Sequence, residues 1–280
     1  MLIATPLGNL SDLSDRAKHV LATASVLCCE DTRRTRALLS AISVDTSPKR
    51  LWAVHDHNEQ AQTGAVLDLV ASGHVVGVVT DAGMPGVADP GSRLVAAAHD
   101  RGLPVSVIPG PSAAISALVV SGLPTERFIF EGFLPRKGRE RAQRLQALKF
   151  EQRTTVVFEA PGRTQQTLAE FALVLGPHRS ATLVRELTKK FETVTRATLG
   201  ELADLTAVEE VRGEVVLVIG PGELEEIDDA VIDEAILVAL GSGERLKDVA
   251  RIVAQRFSLD QRHTYDRARE LRTASQGENT

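Results

Sequence analysis

Cysteine is nearly absent from this 280-residue sequence: there are two, Cys28 and Cys29, and they are adjacent. Adjacent strand residues point to opposite faces, and neither CxxC nor HExxH occurs to supply further ligands. The pair reads as plain core cysteines in a reducing compartment, and no metal site is expected. Long apolar runs are absent too, none approaching the roughly 18–20 residues that span a membrane. The start, MLIATPLGN, lacks the charged region and extended apolar core of a signal peptide. A cytoplasmic protein with no membrane partner is expected. Three familiar signatures are also missing: GxxxxGK(S/T), a GxGxxG opening a helix after the first strand, and GxSxG. That sets aside P-loop kinases, common dehydrogenases and α/β hydrolases. The formal net charge is −5, so there is no overall basic signature of nucleic-acid binding. Local basic patches still bind RNA where the average hides them.

What is present is an α/β pattern. Hydrophobic residues make up 43%, enough for a sizeable core, and charged residues 25%, near the globular average. Apolar runs such as SVLCC, HVVGVVT and PVSVI alternate with helical stretches. After a short first strand, MLIAT, Ser11 or Asp12 is expected to cap a helix that runs to Ala24. The elaborate loops fall at strand C-termini, where open parallel sheets bind ligands. The second half restarts with strands in FIFEGFLP, RTTVVFEAPGR, SATLVRELTKKFE and GEVVLVIGPG. Beyond it, ELEEIDDAVIDE (223–234) reads as an acidic linker or helix start. Residues 242–272 read as two short helices joined at Ser258–Asp260, in a helix-turn-helix layout, and TASQGENT as a frayed tail. The expected division is an N-terminal α/β domain over 1–111, a C-terminal α/β domain over 112–222, and an acidic linker with a helical tail over 223–280.

Two loops carry the character of a ligand site. DAGMPGVADPG (81–91) packs three glycines, two prolines and two aspartates directly after a buried strand. Glycine permits close backbone approach and proline stiffens the turn, so the loop offers backbone groups without bulky side chains. PGPSA (109–113) repeats the arrangement at a helix N-terminus, where free N–H groups favour polar ligands. CEDTRRTRALL (29–39) places charge where a strand turns into a helix. Asp31 is expected as N-cap, with Leu38, Leu39 and Ile42 on the buried side. Arg33 and Arg36 stand at i and i+3 and share a face. HDHNE (55–59) reads either as a helix cap through Asp56 or Asn58, or as a polar substrate-facing loop.

Two segments are basic. FEGFLPRKGRERAQR (130–144) carries Arg136, Lys137, Arg139, Arg141 and Arg144 beside Phe130 and Phe133, which suits phosphate contacts. RELTKKFET (185–193) places Arg185, Lys189 and Lys190 near a strand end, as a phosphate clamp or as a salt-bridged surface loop.

Taken in order, ATPLGNLSD, CEDTRRT, HDHNE, DAGMPGVADPG, PGPSA, EGFLPRKGRER, RELTKKFE and RGEVVLVIGPG resemble the ribosomal RNA small subunit methyltransferase I family, a branch of the tetrapyrrole methylases. The likeness spans roughly residues 3–220, and the helical segment 235–270 is similar to the family's C-terminal one. FEAPGR (158–163) departs from it, lacking the usual aromatic after the first Phe and the histidine before the Arg. Met84 and Gly86–Val87 also vary the usual loop. The resemblance implies two α/β domains with S-adenosylmethionine folded in a cleft between them. It also implies methylation of the ribose 2′-hydroxyl of a decoding-centre cytidine in 16S rRNA, by a homodimer. On that basis Asp81, Ala82, Gly83, Met84, Val87, Ser112 and Ala113 are expected to hold the cofactor. The catalytic candidates are Glu30, Asp31 and Lys189, with Asp81 and Glu186 behind them. Arg33, Arg36, Arg136, Lys137, Arg139, Arg141, Arg185 and Lys190 are expected to contact RNA. Two alternatives stay open. A tetrapyrrole or other small-molecule methylase would share the fold, but TPLGNLSD is not the GxGPGD-type first loop of that branch. A non-catalytic RNA-binding assembly factor is the other.

Overall fold

Ten strands, divided between two sheets, organise residues 1–222, the first of two compact units; the second is Glu223–Thr280. The structure, a computed structural model, describes residues 1–222, 229–257 and 259–277. The first sheet holds β1 (Leu2–Ile3), β2 (Val26–Cys29), β3 (Arg50–Ala53), β4 (Val76–Val79) and β5 (Val107–Ile108). All its pairings are parallel, in the order β3-β2-β4-β1-β5. The helices between them are α1 (Asp15–Thr23), α2 (Thr32–Ala41), α3 (Glu59–Ala71) and α4 (Ser92–Asp100).

Strand alternation decides which helix covers which face. Ile3, Leu27, Cys29 and Val79 pack with Leu21 of α1 and Leu39 of α2. Val26, Cys28 and Val78 pack on the other face with Leu67 of α3 and Leu94 of α4. The two free cysteines therefore belong to opposite cores, as their adjacency requires. Each fully buried leucine contributes about 1.5–3 kcal/mol. Both neighbours of β4 send their helices to the face opposite α4. The loop after β4 thus lies at a crevice on either side, where such sheets take ligands.

The expected cap of α1 is corrected. Ser11 and Asp12 lie in a 3₁₀ turn, Leu10–Asp12, opened by Asn9, whose side chain accepts from the Ser11 N–H. Leu13, 2% exposed, then plugs the core, and Ser14 caps α1 by accepting from the Ala17 N–H at 3.1 Å. The turn exists because Leu13 must reach the core before the helix can begin.

α5 (Ala113–Val120) leaves the first sheet and packs on the second, which contains β6 (Phe128–Phe133), β7 (Thr154–Glu159), β8 (Ser180–Arg185), β9 (Thr193–Thr198) and β10 (Val215–Ile219). The order is β6-β7-β10-β8-β9, with β6 parallel to β7 and the other pairs antiparallel. Ala114, Ala117 and Leu118 of α5 meet Val156, Val184, Val216 and Val218 on one face. α6 (Arg139–Lys149), α7 (Thr164–Leu175) and α8 (Leu199–Val208) cover the other through Leu145, Leu168, Phe171 and Leu202.

In the second unit α9 (Asp229–Gly241), α10 (Leu246–Phe257) and α11 (Gln261–Gly277) close around Ile236, Val249, Val253 and Ala268. Residues 223–228 of the expected acidic linker, Ser258 at the expected joint, and residues 278–280 of the tail lie outside the described residues. Residues 229–234 belong to α9. The α11 backbone continues to Gly277, so residues 273–277 are helical where fraying was expected. Among the described residues no helix is long and apolar enough to cross a membrane.

Candidate active site

Three loops gather at the carboxyl end of the first sheet, two of them fastened to each other through backbone and the third packed closely against them. Thr5 and Gly83 exchange N–H···O=C bonds at 2.9 and 3.1 Å, and the Thr5 hydroxyl donates to the Thr80 carbonyl at 3.2 Å. Gly83 takes φ +83°; a Cβ there would stand 3.3 Å from Leu7 Cδ2 and 3.8 Å from the Pro111 carbonyl. A Cβ on Gly110 would stand 2.9 Å from that of Ala4, so only glycine lets the third loop seat this closely. Ser112 precedes α5 without capping it through its side chain. Ala82 and Ala113 join one apolar cluster with Leu7, Leu187, Phe130 and Phe158. The β6 bulge also approaches, since a Cβ on Gly132 would lie 4.0 Å from that of Ala88. Bare backbone, small side chains and an uncapped helix start fit a nucleoside-bearing ligand such as S-adenosylmethionine. Asp81, Ala82, Gly83, Met84, Ser112 and Ala113 are brought together here. Val87 is at the exposed outer turn, 37% accessible.

Acids gather on the same edge. The Asp81 N–H donates to Glu30 Oε2 at 3.3 Å, and the Asp31 N–H donates to Asp81 Oδ1 at 3.2 Å, which ties the ends of β2 and β4 together. Arg34 Nη1 reaches Asp81 Oδ2 at 3.1 Å. Burial raises the Glu30 carboxyl, and the nearby charges of Asp81 and Asp56 add to the shift. Asp89, in the same loop as Asp81, is pushed up to about 7, first by burial and then by Glu30, Asp56 and Asp81. Among the described residues no group of three or more His, Cys, Asp or Glu side chains is placed to hold a metal ion.

The other two catalytic candidates sit in a different electrostatic state. Asp31 is the N-cap of α2, its Oδ1 accepting from the Arg33 N–H at 2.7 Å, while Oδ2 takes Arg33 Nη2 at 2.7 Å. The Arg33 guanidinium holds this carboxyl far below the usual range, and so charged a carboxylate is a weak base. Arg33 is correspondingly engaged within its own turn. Lys189 lies between Glu186 Oε1 at 2.9 Å and Glu214 Oε2 at 3.1 Å. Burial lowers its pKa, but these two hydrogen-bonded carboxylates outweigh burial and hold the ammonium charged. A charged lysine cannot accept a proton.

The basic candidates divide sharply. Arg136, Lys137 and Arg139 are exposed, and Arg36 likewise; none forms an ion pair among the described residues. Arg185 is half-buried and donates to the Arg212 carbonyl at 3.2 Å. Lys190 is exposed. Arg141 is corrected from a surface contact to a core group: it is 6% exposed and binds Glu170, the Pro135 carbonyl and Thr167. It shares a helix face with Leu145 and Leu148, which carries it into the core.

Sequence reasoning missed three groups. Asp89 was within the quoted loop, but only folding supplies the three neighbouring acids. Arg34 lies between the two arginines singled out and is the one that reaches Asp81. Glu59, 2% exposed, accepts from the Gly91 and Leu94 N–H groups at 3.0 and 3.1 Å, so HDHNE anchors the start of α4. Asn58 makes no cap bond to α3; its side chain closes the turn by accepting from the His55 N–H at 2.8 Å.

The family model of the tetrapyrrole (corrin/porphyrin) methylases matches residues 1–203. Ribosomal RNA small subunit methyltransferase I of Xylella fastidiosa is 45% identical over 220 residues, 78% of this chain and 80% of that protein. Its namesake from Mycobacterium tuberculosis H37Rv is 42% identical over 279 residues, 99% and 96% of the respective chains. Uroporphyrin-III C-methyltransferase from Thermus thermophilus, solved with S-adenosyl homocysteine, aligns with a TM-score of 0.53 at 24% identity. That alignment covers 78% of this chain and 90% of that one, and establishes a shared fold.

Proposed function

The chain belongs to the ribosomal RNA small subunit methyltransferase I family of the tetrapyrrole methylases, and we infer that it methylates a ribose 2′-hydroxyl of 16S rRNA with S-adenosylmethionine. The observation that carries this reading is the near full-length match to small-subunit rRNA methyltransferases. The nucleotide proposed is a decoding-centre cytidine. In this reading residues 1–111 and 112–222 are two α/β domains, with the cofactor in the cleft between them.

The cofactor, when bound, supplies an electrophilic methyl carbon on a sulfonium. Ala82, Gly83, Met84, Val87 and Ala113 would hold it through backbone groups and small side chains, with Asp81 and Ser112 as polar partners. Four acids on that edge, Glu30, Asp56, Asp81 and Asp89, favour a cationic ligand there. A ribose hydroxyl is a poor nucleophile at neutral pH, so a positioned proton acceptor is worth on the order of 10²–10⁴ in rate. Asp89 suits that role, because its carboxyl titrates near neutrality; Glu30 stands second. Asp31 shapes the start of α2, and Lys189 supplies fixed positive charge. Arg36, Arg136, Lys137, Arg139, Arg185 and Lys190 take RNA phosphates, which fix register rather than read sequence. The working form is a homodimer: α5 exposes Ile115, Val119 and Val120, an apolar face suited to a second copy. Free, buried Cys28 and Cys29 suit the cytoplasm.

Tritiated methyl transfer to small ribosomal subunits from cells lacking the enzyme tests the reading. Digestion is expected to release labelled 2′-O-methylcytidine. Label on a base contradicts the assignment. RNA binding without S-adenosylmethionine binding would mark an assembly factor instead.

A further inference from the structure

Between β8 and β9 a short projection, residues 186–192, is fastened at its base and bare at its tip. Leu187 roots it, 8% exposed and packed with Leu7 and Ala114. Glu186 Oε1 accepts from the Glu214 N–H and from Lys189 Nζ, both at 2.9 Å. Two glycines make room for these side chains: a Cβ on Gly213 would stand 2.4 Å from the Glu186 carboxyl, and one on Gly8 would stand 2.3 Å from Lys189 Cγ. Gly8 belongs to the loop after β1, so the projection is tied to the cofactor edge. Two turns close it, the Lys189 N–H to the Glu186 carbonyl at 2.9 Å and the Glu192 N–H to the Lys189 carbonyl at 3.2 Å, and the Glu192 carboxylate accepts from the Thr188 N–H. Glu186 and Thr188 are held at φ +52° and +65°, left-handed conformations that non-glycine residues adopt only where surroundings over-determine them.

All this fastening presents Phe191 to solvent. Phe191 is 66% exposed, with Lys190 Nζ 5.4 Å from its ring centroid. Lys189 bridges the Glu186 and Glu214 carboxylates and Glu192 is turned back onto its own loop, whereas Lys190 forms no ion pair among the described residues. Strand register places this tip at the end of the second sheet that also carries Arg136 and Lys137: Thr193 lies opposite Arg185, Arg185 opposite Val215, Val215 opposite Glu159, and Phe133, which leads into Arg136 and Lys137, opposite Phe158. A rigid aromatic face beside a free cation is the recognition chemistry of an unpaired nucleobase and its phosphate.

We propose that Phe191 is a stacking platform for an unpaired nucleobase of the RNA substrate, with Lys190 contacting the adjoining phosphate. The proposal rests on the RNA reading above. It is tested by methyl-transfer kinetics on small ribosomal subunits lacking the modification, with cofactor affinity and sedimentation measured in parallel. Phe191→Ala is expected to raise the KM for subunits by roughly 5- to 100-fold, the range one lost base stack gives, with cofactor affinity and kcat at saturation unchanged. Phe191→Trp restores the parent KM, and Phe191→Leu, apolar but without a π-face, does not. Lys190→Gln flattens the salt dependence of binding by about one phosphate contact. A parent-like KM in Phe191→Ala or Phe191→Leu overturns the proposal, as does a shift from dimer to monomer, which would make the ring a contact between copies. Should the parent itself transfer no methyl group to subunits, the functional reading fails. A competent parent with an unaffected Phe191→Ala fails the stacking proposal alone.

Discussion

The carboxyl end of the first sheet gathers acids and bare backbone, whereas the matching end of the second sheet gathers free cations and exposed rings. On the first, Glu30, Asp81 and Asp89 crowd one another and are partly withdrawn from water. On the second, Arg136, Lys137, Arg139 and Lys190 stand in water without ion-pair partners among the described residues, with Phe133 and Phe191 beside them. The topology explains the split. A parallel sheet ends in βα loops that turn backbone inward, while a mostly antiparallel sheet ends in hairpin-like projections that push side chains outward. One edge suits proton transfer near a cationic donor, and the other suits a polyanion.

Exchanging charge between these edges should have unequal consequences. The largest effect is expected from Asp89→Asn, which should lower kcat by about 10²–10⁴ while leaving RNA affinity close to the parent's. A drop smaller than tenfold would move the proton acceptor to Glu30. Next is a pair from one helix of the second region. Arg141→Ala should destabilise the fold by about 3–5 kcal/mol in urea denaturation, because Glu170 and Thr167 lose a buried partner. Arg139→Ala, two residues away but exposed, should stay within about 0.5 kcal/mol of the parent and weaken RNA binding instead. Equal stability losses would refute the division between buried and free arginines. Replacing Arg136, Lys137 and Arg139 together by Gln should reduce the salt slope of RNA binding by about 0.7–0.9 per lost phosphate contact. Cofactor affinity by calorimetry should not change. The smallest effect is expected from Asp31→Asn, since asparagine caps helices as well as aspartate does and the lost pair with Arg33 is exposed. Stability should stay close to the parent's and kcat should change by less than tenfold.

The difference between the edges also governs what sequence alone could reveal. Asp31 as a cap and the opposite faces of Cys28 and Cys29 depend on one or two neighbouring residues, and both were legible. The glycine loops were legible because glycine's freedom is intrinsic to the residue. Arg141 could have been read correctly, since its spacing to Leu145 and Leu148 marks the buried face of α6; the density of basic residues around it hid the periodicity. Asp89 and Lys189 were out of reach. The first depends on acids from the ends of β2 and β4 and from the turn after β3, the second on Glu214, 25 positions further along the chain. Charge state is a property of the assembled edge, and no local pattern encodes it.

The raised Asp89 carboxyl has consequences for stability as well as rate. Its folded-state pKa of about 7 exceeds the ordinary carboxylate value, so folding takes up a proton at this site. The stability it confers is complete below about pH 4 and is lost as pH rises through 7. Asp89→Asn should therefore melt like the parent at low pH and at a higher temperature than the parent above neutrality.

The most direct test of an acid edge that accepts the proton is the pH dependence of single-turnover methyl transfer to small subunits. The parent should show a rate that climbs with pH and levels off near 7, and Asp89→Asn should be slow with that limb abolished. An unchanged limb in Asp89→Asn would contradict the account.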